Sequence, residues 1–402
     1  MEKTIVLVGT LDTKESVYIY VKKLIESRGH RTLLVDAGVM EDPSILPDIP
    51  RQTVAQAGGS KVDTLVRKAD RGTAIEVMSR GIAILLPRLF AEGRLDGVIA
   101  FGGGGGTSVA TSGMRALPLG VPKVMVSTLA GRDVSGFTDG KDIVMIPSIV
   151  DITGINRITR EIFSRAAGAI CGMVETEIKR DQDKPLVAAT MFGNTTPAVE
   201  TARRILESEG LEVVVFPCSG TSGRTMESLI RSGHITSVLD ITTTEWADEL
   251  LGGVLSAGPE RLSAAAEAGI PQVVVPGCLD MVNFWNPETI PDKYKDRKFY
   301  RHNPNITLMR TNVEENRTLG QIIAEKLNRC RGKAAVFLPL KGVSMLDSPG
   351  EPFWWPEADQ ALFQGIRDSL RRDIPIFEMQ CNINDGDFAR ACARELLNMI
   401  RD

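Results

Sequence analysis

Short apolar, β-branched runs alternate with longer segments of helical periodicity along almost the whole chain. In the first half the runs 4–9, 32–36, 97–101, 123–128 and 143–146 read as strands. Helical patterns fill the intervals at 14–28, 61–92, 108–116 and 157–176, the second of them broken near Gly72 or Gly81. The strands are continuous apolar runs rather than alternating ones. That is the pattern of a parallel sheet covered by helices on both faces, and it predicts a doubly wound α/β domain.

The segment 179–185 is short, charged and closed by Pro185, and reads as a linker. The alternation then restarts, with strands predicted at 186–191, 213–216, 237–241, 272–275, 307–310, 335–338 and 374–378. Helices are predicted among them at 197–208, 313–328 and 356–372. The prediction is therefore α/β, with two doubly wound, mainly parallel-sheet, Rossmann-like domains at 1–180 and 185–402 and an interdomain cleft. The halves are faintly alike. Val8-Gly9-Thr10-Leu11-Asp12-Thr13 and Phe192-Gly193-Asn194-Thr195-Thr196 each lead from a strand into a helix.

Composition narrows the function classes. The 402 residues suggest two or three domains by length alone, at about 150 residues each. With 47 Lys and Arg against 51 Asp and Glu, the net charge is −4 and no long run of either sign occurs. Nucleic-acid binding, which favours a basic excess, is not expected. No apolar stretch approaches the roughly 18 residues of a membrane span. Met1-Glu2-Lys3-Thr4 runs straight into a strand without a signal-peptide pattern. The six cysteines are scattered and form no CxxC pair, which fits reduced thiols in a cytoplasmic protein better than zinc.

Five of the 38 glycines are consecutive: Gly102, Gly103, Gly104, Gly105 and Gly106, followed by Thr107 and Ser108. They sit between a buried strand and a helix. Backbone without Cβ atoms can approach a ligand closely, and a helix start offers unpaired N–H groups and positive dipole charge to a phosphate. GxGxxG is not matched, because its third glycine would fall on Thr107, Ser108 or Val109, and Walker A is not matched, because no Lys follows the last glycine.

Supporting groups are expected from neighbouring strand ends, where ligands of such sheets sit. After the first strand come Thr10, Asp12, Thr13 and Lys14. Asp12 with Glu15 also spaces like a capping box, and Lys14 has the charge to meet a phosphate. Asp36 and Gly38 end the second strand, where an acid often meets ribose hydroxyls. The fourth strand ends in Ser127, Thr128, Gly131, Arg132 and Asp133, which supply hydroxyls, a phosphate-binding Arg and a carboxylate for Mg²⁺.

Strand ends in the second half carry more varied chemistry. Glu245 has the position of a general base. Asp280 and His302 are candidates to converge with it on a substrate or metal, and Lys341 is a candidate for binding a carboxylate or phosphate. Cys218 lies near a helix start that would lower its pKa.

Taken in order, Gly9-Thr10-Leu11-Asp12-Thr13-Lys14 and the segments 101–108, 127–128, 192–196, 280–283, 302–304, 307–311, 339–344 and 383–385 resemble one family over essentially the whole chain. It is the Tm-one-like ATP-binding-domain family, which joins a plant tobamovirus-resistance protein to many bacterial proteins of poorly defined function. The resemblance implies two α/β domains, ATP binding with Mg²⁺ at the glycine loop and its neighbouring strand ends, and self-association as a homodimer. Where the family often reads His-Ile-Asn-Asp, this chain has Asn382-Ile383-Asn384-Asp385. The leading expectation is an ATP-binding protein acting on a small acidic or phosphorylated metabolite in the cleft. The alternatives are a nucleotide-independent lyase, isomerase or hydrolase built on Glu245, Asp280 and His302, and a non-catalytic, nucleotide-dependent interaction module.

Overall fold

The computed structural model describes residues 2–178 and 183–401. The central part of the expected linker, 179–182, lies outside them. The chain divides into two compact units between residues 180 and 181.

In the first unit β1 (Thr4–Gly9), β2 (Arg31–Asp36), β3 (Gly97–Gly102), β4 (Lys123–Ser127) and β5 (Val144–Pro147) form one parallel sheet in the order β2-β1-β3-β4-β5. β1, β3 and β4 lie inside the sheet and are almost wholly buried, whereas β5 is the half-exposed edge. Their side chains part to opposite faces. Val6, Val8, Val98 and Ala100 pack beneath the helices Arg51–Ala57, Arg71–Ala91 and Gly104–Ala116. Ile5, Leu7, Ile99 and Phe101 pack beneath Leu11–Glu26 and Arg157–Glu175. Burying each such side chain is worth about 1.5–3 kcal/mol, which is why the strands read as unbroken apolar runs.

The helical stretch predicted over 61–92 breaks at residues 69–70, close to the first of the two glycines. Val62–Lys68 ends with Ala69 in the left-handed region, and Arg71–Ala91 starts behind Asp70. The Asp70 carboxylate accepts from the backbone N–H of Gly72 at 2.9 Å and of Thr73 at 3.4 Å, so a cap rather than a glycine sets the break.

In the second unit the main sheet is again parallel, with β6 (Leu186–Met191), β7 (Glu212–Pro217), β8 (Ser237–Thr242) and β9 (Gln272–Gly277). β10 (Met281–Phe284), β11 (Phe299–Asn303) and β12 (Ile306–Arg310) follow, then β13 (Ala334–Pro339) and β14 (Ile376–Met379). The parallel sheet runs β7-β6-β8-β9-β13-β14, the order of the first unit with one strand added. The faint likeness of the halves thus extends to their topology. β10, β12 and β11 form a separate antiparallel sheet. The run at 307–310 therefore does not join the parallel sheet, and the segment around His302, not among the predicted strands, is one. Among the described residues no helix is long and apolar enough to cross a membrane.

Candidate functional site

In a sheet of order β2-β1-β3-β4-β5 the connections reverse direction between β1 and β3, and a crevice opens beyond their carboxyl ends. Tyr18 shapes that crevice. It is fully buried, and its hydroxyl donates to the carbonyl of Val8 at 2.6 Å and accepts from the N–H of Phe101 at 3.0 Å. Regular β1–β3 pairing stops at Val8 and Ala100. Gly9 is required beside it, because a Cβ there would fall 2.0 Å from the Tyr18 ring.

Above this point lies a pocket of about 690 Å³. The structure brings into its lining Thr10, Asp12, Thr13 and Lys14 after β1, Gly38 after β2, and Gly103, Gly104, Gly105 and Gly106 after β3. The helix begins at Gly104, four residues before the predicted start, so three glycines form its first turn. Its first hydrogen bond runs from Thr107 N to Gly103 O at 2.8 Å. The N–H groups of Gly104 to Gly106 are therefore the ones a helix leaves without an intrahelical partner. Only Gly102 is crowded by backbone, since its Cβ would lie 2.9 Å from Gly106 Cα. A Cβ on Gly103 or Gly104 would meet nothing closer than 3.6 Å. Packing does not require glycine at these two positions.

Asp12 and Glu15 do not form a capping box. Asp12 Oδ2 accepts from the N–H groups of Val39 and Met40, each at 2.9 Å, and Glu15 accepts from Ile45 N at 2.6 Å and from the Ser44 hydroxyl. Both carboxylates hold the chain after β2, a long-range role that local spacing cannot reveal. The helix Leu11–Glu26 is irregular at Lys14, where φ is −133°. Arg71 also lines the pocket and was not singled out by the sequence. Its position opposite the glycine turn depends on packing between the helices Arg71–Ala91 and Gly104–Ala116. The only local signal was the Asp70 cap before it.

The remaining candidates of the first unit lie outside this lining. Asp36 is buried and accepts from Gly38 N at 2.8 Å and Leu11 N at 3.2 Å, and burial pushes its carboxyl above the ordinary range. Thr107 and Ser127 join hydroxyls at 2.7 Å inside the core, and Ser108 Oγ donates to Gly104 O. Thr128 and Gly131 line a separate pocket of about 470 Å³ with residues 147–151. Arg132 is exposed. Asp133 is also exposed and accepts from Ser135 N at 2.9 Å, a contact that holds its carboxyl below the ordinary range. Among the described residues no group of three His, Cys, Asp or Glu side chains is placed to hold a metal ion.

The second unit does not assemble the expected trio. Glu245 is buried in a charge network, accepting from Gly220 N at 2.9 Å and Arg261 Nε at 2.6 Å, while Arg261 also binds Asp240 at 2.5 Å. An acid of the protein thus fills the start of helix Thr221–Arg231. Removing one partner of such a buried network costs about 3–5 kcal/mol. Asp280 belongs to a different cluster. Its Oδ2 accepts from the Ser344 hydroxyl at 2.8 Å, and nearby Arg310 binds Asp359 at 2.7 Å and Asp347 at 3.4 Å. Burial first, and the neighbouring Asp347 second, raise Asp280 to about 7 and Asp359 to about 8.

His302 is exposed on β11 beside the Thr307 end of β12, whereas Asp280 adjoins the Arg310 end. At about 3.3 Å per residue, on the order of 10 Å of strand separates those ends. The Lys341 side chain is exposed. Cys218 is buried, its thiol donating to Thr242 O at 3.2 Å, and burial raises its pKa rather than lowering it. Asn382 Nδ2 lies within 3.3 Å of Lys341 O and Ser344 O and 2.8 Å from Ser348 Oγ, tying the 341–348 loop to the chain after β14.

Residues 3–179 match the N-terminal domain, and residues 184–400 the C-terminal domain, of the uncharacterised protein family UPF0261. A UPF0261 protein of Clostridium tetani is 50% identical over 404 residues, spanning 100% of both chains. The ToMV resistance protein Tm-1 of Solanum lycopersicum is 40% identical over 87% of this chain and 48% of its own length. Among solved structures, the Streptomyces sp. SF2575 glycosyltransferase SsfS6 aligns over 99% of this chain and 97% of its own. It does so at 12% identity and a TM-score of 0.21, a likeness that carries no argument about function.

Proposed function

The chain belongs to the UPF0261 family, and from that premise we propose that it is an ATP-binding protein whose nucleotide site is the pocket between the ends of β1 and β3. One observation carries the reading. The three unbonded N–H groups of the glycine turn face a pocket of about 690 Å³ that also holds Lys14. Backbone donors at a helix start and a nearby cation are what a phosphate chain requires. The pocket's aliphatic side would receive the nucleoside.

Mg²⁺ fits this site as a partner of the phosphates rather than of a protein cage, since it keeps waters and takes one or two carboxylates at most. Asp12 is the suitable carboxylate. It lines the pocket, and its Oδ1 is buried without a hydrogen-bond partner. Bound there, the ion would neutralise phosphate charge. Lys14 and the glycine N–H groups would orient the chain. The proposed second substrate is a small acidic or phosphorylated metabolite, and the proposed assembly is a cytoplasmic homodimer.

The test is a crystal soaked with ATP and Mg²⁺. Phosphate density against Gly104–Gly106 is the expected result, and density elsewhere overturns the site. The 40% identity to a resistance protein favours one second reading, a nucleotide-dependent interaction module. That reading expects ATP to raise the melting temperature without any turnover across a metabolite panel.

A further inference from the structure

Resting on the nucleotide reading of this pocket, we propose that the site selects its ligand by the number of phosphates, through Arg71 and Lys14, and is indifferent to the base. Two observations meet here, one about charge and one about the pocket wall.

Lys14 and Arg71 reach the pocket from opposite faces of the sheet. Lys14 lies on the helix Leu11–Glu26, whose core contacts are with Ile5, Leu7 and Phe101. Arg71 opens the helix Arg71–Ala91, which packs on the other face with Val6, Val8 and Val98. The Arg71 guanidinium lies 3.7 Å from where a Cβ on Gly105 would stand, directly over the glycine turn. Among the described residues neither cation makes a hydrogen bond or an ion pair with the protein. Asp12 and Asp70 share the lining, but among the described residues neither stands within ion-pair distance of Lys14 or Arg71. Asp12 Oδ2 holds the N–H groups of Val39 and Met40, and Asp70 holds Gly72 N and the Thr73 hydroxyl.

Two cations without an ion-pair partner in one pocket lining set a requirement on the ligand. A single phosphate beside the turn engages one of them fully, whereas a chain of two or three phosphates spans both. The planar guanidinium of Arg71 suits bidentate contact with a terminal phosphate, and Lys14 acts as a point charge.

Leu65, Val66, Ile75 and Met78 make an aliphatic wall of the pocket, with no aromatic ring and no charged, hydroxyl or amide side chain, and Ile75 Cδ1 stands against the glycine turn, 3.1 Å from where a Cβ on Gly105 would be. Such a wall buries the face of a base and reads none of its edges. Apolar surfaces discriminate weakly between ligands of similar shape, whereas a site built on hydrogen bonds rejects the wrong partner strongly. Selectivity therefore resides in the phosphates.

Isothermal titration of the full chain with ATP, GTP, AMP and inorganic tripolyphosphate, in excess Mg²⁺ at fixed ionic strength, tests this. Wild type is expected to bind ATP and GTP within about threefold of each other and AMP at least about tenfold more weakly. Arg71→Gln is expected to weaken ATP, GTP and tripolyphosphate by about tenfold and AMP by less than about threefold. Arg71→Lys should fall between. The unliganded melting temperature should not move in either variant, because Arg71 is exposed and bonds to no described residue. Unchanged ATP affinity in Arg71→Gln, AMP bound as tightly as ATP, or a preference above about tenfold for one base overturns the proposal. Failure of wild type to bind any of the four overturns the nucleotide reading itself, and this inference with it.

Discussion

Tyr18 and Phe101 meet twice: the Phe101 N–H donates to the Tyr18 hydroxyl at 3.0 Å, and their rings stand edge to face with centroids 5.8 Å apart. The same hydroxyl donates to Val8 O, so one side chain takes up the backbone groups of both strands where β1 and β3 part. Removing that oxygen leaves buried polar groups without a partner, at about 1–3 kcal/mol. Tyr18→Phe is therefore expected to lower the unfolding free energy by that amount in urea titration. Stability equal to wild type would show that the hydroxyl does not hold the crevice.

Gly104 separates ligand binding from folding. A Cβ there would meet only Leu129 Cδ1 at 3.8 Å, and Ala is the better helix former. Gly104→Ala should leave the unliganded melting temperature unchanged or slightly raised. Its methyl group stands where the proposed phosphate approaches the turn, so ATP affinity should fall by about tenfold or more. Wild-type affinity in this variant would move the phosphates away from the turn.

The buried carboxylates of the second unit make stability depend on pH in a definite direction. Burial raises Asp280 to about 7, Asp359 to about 8, and Asp347 above its ordinary range. The folded chain then holds protons that the unfolded chain has released. This contribution is complete below the ordinary carboxylate range and is lost as pH rises through about 7 to 8. Asp280→Asn keeps an oxygen for the Ser344 hydroxyl and removes one of the charges. Urea unfolding at about pH 6, 7.5 and 9 should show a shallower decline for the variant, with a gain of about 1 kcal/mol over wild type at the highest pH. Parallel pH profiles would show that Asp280 does not take part.

Much of the parallel architecture was legible because its strands are local, unbroken apolar runs such as 4–9 and 186–191, which reappear as β1 and β6 with the same limits. The antiparallel sheet was not. β10 is four residues long, and β11 ends in the exposed polar residues Arg301, His302 and Asn303. Their identity as strands comes from pairing with β12, not from their own pattern. The glycine turn announced itself by composition, yet its helix begins inside the glycines because burial of Thr107, Val109 and Ala110 outweighs their poor helix propensity.

By itself the sequence determined most of the segments that form the parallel sheets, and where glycine leaves the backbone open, because both follow from residue type over a few consecutive positions. Tertiary structure alone decided which charges face that backbone. Lys14 and Arg71 come together across the first sheet, Arg261 binds Glu245 in a dry core, and Asp280 lies with Arg310 rather than with His302. A charge acts through space on whatever packing brings near it, and residues far apart in the chain carry no local sign of that encounter.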